Sequence, residues 1–279
     1  METELKYIII SFISLLAIVG FIDFYVSMLP LLKIIISILA IFLFQYLFTP
    51  YIIIFSFKLK KNEDPKLEET VDKAMDLLKI KRKPKVFVMD IDNGNAMVFG
   101  NIFFRGIMFT KGLLNVLNNE ELLAITMHEL SHLKNHDTET MLITVSIPTL
   151  AFIALFNYSV IFVIPAFLLF MPIIPFLSRW KEKRADITAV KENRWLVKYF
   201  INALVKTGYI LDGHISEYLT ENDELKMINF KDMPISILSS AKQDLLNNKV
   251  KEKKSLLSLF FDTHPSLQER IKYLNKYES

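Results

Sequence analysis

The chain has 279 residues, no cysteine, and 33 basic against 30 acidic side chains, a net charge of +3. Without cysteine there are no disulfides, no Cys-ligated zinc and no thiol catalysis, and so mild a charge does not point to nucleic acid. A hydrophobic content of 52% and a mean hydropathy of +0.33 exceed what a soluble protein carries and point to membrane segments in contact with a lipid bilayer.

In chain order, Tyr7 to Ile22 and the 24 residues Ile34 to Phe57 carry no charge. With their partly apolar flanks, each reads as a helix of the ~20 residues that span a bilayer. The N-terminus has neither a basic stretch nor a small-residue cleavage site, so residues 6–57 read as a retained two-helix anchor. Asp64-Pro65 is a cap followed by Pro at the first helical position, and Lys66 to Lys79 has Leu67, Val71, Ala74, Met75 and Leu78 on one side. Lys85 to Asp90 reads as a strand and Asn93-Gly94 as a turn. Asn95 to Phe99 and Ile102 to Phe109 read as two further strands. Asn119 to Leu133 is an amphipathic helix that Asn118 or Asn119 can cap.

The next 39 residues, Thr140 to Ser178, are again uncharged. As one helix they would extend ~58 Å, about twice the hydrocarbon thickness. A turn near Asn157-Tyr158-Ser159 divides them into a hairpin, spanning or re-entrant, whose arms Pro148, Pro165, Pro172 and Pro175 kink or shorten. Helices follow through Lys191, from about Trp195 to Leu211, and from Ser266 to Tyr277, while 212–262 is polar and unassigned. Between the anchor and the hairpin lies a soluble piece, 58–139, and after the hairpin a second, 179–279. Together they hold 183 residues, enough for one core. Lys58, Lys60, Lys61 and Lys66 after the second stretch, and Arg179, Lys181, Lys183 and Arg184 after the hairpin, place both pieces in the cytoplasm by the positive-inside rule.

His128-Glu129-Leu130-Ser131-His132 carries the chemistry. Residues i and i+4 of a helix differ by only ~40° around its axis, so both imidazoles share one face and can bind one Zn²⁺, with Glu129 beside them. A catalytic zinc takes three protein ligands and keeps one position for water. The third ligand is His136, His214, His264 or a carboxylate, and Glu182 is the best candidate. Glu182 and Asp186 stand i, i+4 on a helix, where like charges repel. A metal on Glu182 and a ligand histidine donating its ring N–H to Asp186 account for both. The bland alternative is a solvated helix whose acids pair with Lys181, Lys183 and Arg184. His136 has drifted a further ~40° around the helix and reads as solvated.

With these motifs on the page, the chain resembles the HtpX-like membrane metalloproteases, gluzincins related to the type I CaaX prenyl proteases. The likeness runs through His128-Glu129-x-x-His132, the membrane stretch, Ser178-Arg179-x-x-Glu182-x-x-x-Asp186, Asn95-Ala96, and His264-Pro265-Ser266-Leu267-x-x-Arg270. It spans roughly residues 7–274. The resemblance implies an α+β, mostly α fold: a zincin-type domain with a small antiparallel sheet, attached to about four transmembrane helices of a multi-pass plasma-membrane protein. It implies that Asn95-Ala96 opens an edge strand for an extended substrate, that His264 donates a hydrogen bond to the oxyanion, and that Arg270 supports His264 or the substrate.

The parts define a mechanism. One Zn²⁺ per subunit acidifies a water and polarises the scissile carbonyl, Glu129 takes the proton and returns it to the leaving amine, and His264 helps hold the oxyanion. Backbone pairing at the edge strand predicts loose sequence preference, hence unfolded or membrane proteins as substrates and a role in protein quality control. Two rivals are a site-2-type intramembrane protease, for which Leu211-Asp212-Gly213 resembles the second metal motif, and a catalytically inactive membrane scaffold or chaperone. The charges Glu120, Glu121, Lys134 and Asp137 on or beside the histidine helix weigh against the first, and the intact motif against the second.

Overall fold

The computed structural model describes residues 30–159, 163–170, 172–207 and 265–277, with short pieces at 13, 161, 231, 233, 238–239, 242–243 and 246. Apart from Ile13, the first apolar stretch lies outside the described residues, as do His214, His264 and Leu211-Asp212-Gly213. Among the described residues, three helical segments are long and apolar enough to cross a membrane: Leu32–Ser56, Asp137–Phe156 and Val163–Val190. They comprise α1 (Pro30–Ser56), α5 (Asp137–Tyr158), α6 (Val163–Phe170) and α7 (Ile173–Val190). Large apolar side chains such as Leu43, Ile147, Phe156 and Leu169 stand exposed on them, the arrangement expected of surfaces solvated by lipid rather than water. The break between α5 and α6 falls at Ser159, as the turn signal predicts. Of the four prolines in the 140–178 stretch, Pro148 sits inside its helix, whereas Pro165 and Pro175 fall in first turns, where no N–H is needed, and Pro172 caps α7.

The sheet comprises β1 (Lys60–Lys61), β2 (Lys85–Met89), β3 (Ala96–Gly100) and β4 (Arg105–Thr110), in the order β1-β2-β4-β3. It is mixed, which corrects the expectation of an antiparallel sheet. β1 pairs antiparallel with β2 and β3 antiparallel with β4, but β2 and β4 run parallel, with Val86 opposite Ile107. After β2 the chain crosses through residues 90–95 to the far edge, and β4 returns between β2 and β3, so it runs in the direction of β2. The Thr110 hydroxyl fixes that crossing, donating to the Asn93 and Asn95 carbonyls at 2.6 and 3.0 Å and accepting from the Asn95 N–H at 2.9 Å. Local patterning gave no sign of the two-residue β1 or of the short helix α3 (Lys111–Val116) that follows β4.

One face of the sheet packs on α2 (Pro65–Leu78), α4 (Asn119–Lys134), α8 (Val197–Val205) and α9 (Leu267–Leu274). Val71, Ile107, Phe109, Met127, Leu130, Phe200 and Ile271 are fully buried in one cluster, so pieces from both sides of the membrane hairpin share a core. Each such side chain contributes about 1.5–3 kcal/mol by leaving water. On the other face, Phe87, Met89, Phe99 and Phe104 meet Ile53 of α1, which docks the sheet on a membrane helix. Pro50 lacks the N–H that would satisfy the Tyr46 carbonyl of α1. Asn101, in the β3–β4 turn, donates its Nδ2 to the Tyr46 and Leu47 carbonyls at 3.0 Å instead. The Tyr46 hydroxyl accepts the Ile102 N–H and donates to Glu139 of α5, both at 2.9 Å. The sheet and two membrane helices are thus tied at one point.

Helix α4 forms where its sequence dictates. Asn118 and Glu121 make a reciprocal capping box, with Oδ1 accepting the Glu121 N–H at 2.9 Å and Oε2 accepting the Asn118 N–H at 3.0 Å. Glu121 also takes the Lys206 ammonium at 2.8 Å, both side chains being buried. The first turn of α4 is therefore pinned to the end of α8.

Candidate metal centre and peptide cleft

His128 and His132 project from one face of α4 toward α7, which presents Glu182. The His128 and His132 Nε2 atoms lie 3.3 Å apart, and the Glu182 carboxylate oxygens lie 3.6 Å from His128 Nε2 and 3.5 Å from His132 Nε2. Among the described residues, these three form the group of His and acidic side chains able to hold a metal ion. A tetrahedral zinc with ligands at ~2.0–2.1 Å requires its donors to be about 3.3–3.5 Å apart. Two imidazole nitrogens and a carboxylate at these separations fit a zinc ion with its fourth position open.

The outer ring nitrogens are also occupied. His128 Nδ1 lies 2.6 Å from Asp186 Oδ1, although the contact falls short of a well-aligned hydrogen bond. Asp186 is fully buried and receives the Arg270 guanidinium through two hydrogen bonds, Nε at 2.9 Å and NH2 at 2.6 Å, together with the Tyr273 hydroxyl. Arg270 therefore acts on Asp186 in this structure. His132 Nδ1 lies 2.6 Å from Asp137, which is buried and paired with Arg184 of α7.

Sequence reasoning passed over Asp137. It comes five residues after His132, beyond the end of α4, and faces the imidazole because His136 takes a left-handed conformation (φ 56°) that starts α5 on a new axis. The signal that could have found it is an acid at the mouth of an apolar run, with a basic cluster at that run's other end. His136 itself is exposed near Glu139 and is not one of the three donors.

Burial opposes charge on the His128 imidazole, but Asp186 and the hydrogen bond to Glu182 outweigh it and push its pKa up to about 10. Burial also pushes the Glu129 carboxyl up from its ordinary value. Its Oε2 accepts the Val98 N–H of β3 at 3.1 Å. β3 is the sheet's edge strand, and beneath it lies a cleft of about 530 Å³ lined by Asn95 to Val98, His128, Glu129, Glu182 and Arg270. The cleft brings Asn95 and Ala96 to the rim of the metal centre.

A paired-histidine helix with a carboxylate from a second helix, set below the edge of a small sheet and carried on apolar helices, defines a membrane metalloprotease. The chain belongs to peptidase family M48, whose sequence profile matches residues 61–278. It is 30% identical over 266 residues to a protease HtpX homolog of Picrophilus torridus, covering 88% of this chain and 84% of that protein. It is 26% identical over 295 residues to a protease HtpX homolog of Thermoplasma acidophilum, covering 96% and 92%. The crystal structure of S. mikatae Ste24p shares the fold with a TM-score of 0.63 at 18% identity, over 94% of this chain. The chain spans 62% of that protein, and the likeness is one of fold. The family resemblance read from the motifs holds, as does the assignment to metalloproteases, and the site-2-type and inactive-scaffold readings fall away.

Proposed function

We propose that the chain is a membrane-anchored zinc endopeptidase that cleaves unfolded segments of membrane and cytoplasmic proteins, as in protein quality control. The observation that carries this is the convergence of His128, His132 and Glu182 at 3.3–3.6 Å beneath an edge strand. One zinc ion per subunit on those donors would supply Lewis acidity and an acidified water. Asp186 and Asp137 hold the two imidazoles by Nδ1, which keeps each Nε2 bare and aimed at the metal. Arg270 is a positioning residue that fixes Asp186. Glu129 serves as general base, its raised proton affinity suiting it to take a proton from water and return it to the leaving amine. His264 serves as the oxyanion donor.

An extended substrate pairs with β3 from Asn95 and Ala96 onward and displaces Glu129 from the Val98 N–H, which frees the carboxylate for chemistry as the strand fills. Backbone pairing selects for an unfolded segment rather than a sequence. The basic residues flanking the apolar segments support a reading in which 58–139 and 179–279 face the cytoplasmic side of the plasma membrane. Cleavage of casein by the detergent-purified protein, abolished by a chelator and restored by zinc, tests the proposal. Glu129→Gln should keep zinc and stop hydrolysis. Wild-type-like cleavage by Glu129→Gln overturns the mechanism.

A further inference from the structure

A second cleft, also of about 530 Å³, lies on the side of α4 and α7 away from the peptide cleft, between the end of α4, the loop after α7 and the end of α2. Its lining carries four basic side chains, Lys134, Lys183, Arg184 and Lys191, and one acid, Glu192, which faces Lys79 at 3.9 Å. Two lining donors shielded from solvent, Arg184 Nε and Asn135 Nδ2, have no hydrogen-bond partner. Such orphaned donors beside unneutralised ammonium groups call for an acceptor that carries negative charge. Among the described residues, Lys134 and Lys191 make no ion pair, and Lys183 rests over the Tyr273 ring. Trp180, half exposed at the mouth, stacks under the Arg184 guanidinium at 4.4 Å.

Position within the fold narrows the ligand. Trp180 lies two residues past the end of the uncharged run at Ser178, where α7 leaves the apolar segment. An indole at that level and lysines just beyond it are the chemistry of the headgroup layer, where basic pockets beside membrane helices take phosphate groups. Arg184 is shared with the metal centre, since it also holds Asp137, the partner of His132.

We propose that this cleft binds a phosphate oxyanion, with the phosphodiester of an anionic phospholipid as its source, and that Arg184, Asn135, Lys134 and Lys183 hold it. The inference rests on the membrane placement in the proposed function and on nothing about the reaction. Binding at the cleft is read by Trp180 fluorescence in full-length protein carrying Trp195→Phe, so that a single indole reports. Soluble dihexanoyl phosphatidylglycerol, dihexanoyl phosphatidylcholine and inorganic phosphate are titrated separately at constant ionic strength.

Phosphatidylglycerol should give a saturable change that phosphatidylcholine does not, weakened on the order of 30-fold in Lys134→Ala/Lys183→Ala. Casein cleavage by that double variant should match wild type, showing that the fold is intact. Saturation by inorganic phosphate at equal or lower concentration, with the same dependence on the two lysines, keeps the oxyanion site but makes free phosphate its source. Equal responses to both lipids, or an unchanged titration in the double variant, overturn the proposal.

Discussion

Asp186→Ala should damage stability as well as metal binding, because one buried carboxylate serves three groups. It accepts both Arg270 contacts, at 2.6 and 2.9 Å, takes the Tyr273 hydroxyl and lies 2.6 Å from His128 Nδ1. Arg270 is itself largely buried, with a side chain only 16% exposed. Removing Asp186 strands that guanidinium, and breaking a buried pair from one side costs about 3–5 kcal/mol. In a soluble unit of this size each kcal/mol is worth roughly 2–4 °C, so Tm should fall by about 6–20 °C. Zinc affinity should fall about 10–100-fold, as when a ligand histidine loses its outer partner.

The two losses separate in Asp186→Asn/Arg270→Gln. There no charge is stranded, so most of the stability should return while zinc binding stays weak. Thermal unfolding of detergent-purified protein in EDTA reads the first effect, and competition with a zinc chelator reads the second. An unchanged Tm in Asp186→Ala, or a double variant no more stable than the single one, refutes the reasoning.

Asp137→Ala should lower zinc affinity about 10–100-fold by freeing His132 Nδ1, and with Arg184 still bonded to the Asn135 carbonyl its Tm should fall less than that of Asp186→Ala, checked by the same two assays. Zinc loading at pH 7.5 should release at least one proton per ion: with its pKa pushed up to about 10, His128 is charged below that pH and must become neutral to ligate. Calorimetry in buffers of different ionisation enthalpy counts those protons, and zero release contradicts the tight Asp186 contact. Val98→Pro removes the N–H that Glu129 accepts, and a Pro on an edge strand blocks backbone pairing there. KM for casein should rise at unchanged zinc content, measured by steady-state cleavage.

Local signals were legible where local physics decides. The i, i+4 spacing put His128 and His132 on one face, Asn118 and Glu121 announced the start of their helix, and the Leu67–Leu78 stripe defined α2. The acid pair Glu182 and Asp186 stood out because like charges one turn apart need a reason. What stayed hidden depends on tertiary placement. The parallel pairing of β2 with β4 is set by a crossing through residues 90–95, which no strand pattern encodes. Asp137 reaches His132 only through the left-handed turn at His136, a conformation unusual outside glycine. Arg270 meets Asp186 across 84 residues of chain, and neither helix's periodicity records that meeting.

The central claim is that His128, His132 and Glu182 are the three protein ligands of one zinc ion. Zinc content per chain, measured by mass spectrometry on purified wild type, His132→Ala and Glu182→Ala after dialysis against metal-free buffer, tests it most directly. The account predicts one zinc in the wild type and essentially none in either variant. A full equivalent of zinc retained by Glu182→Ala would contradict it.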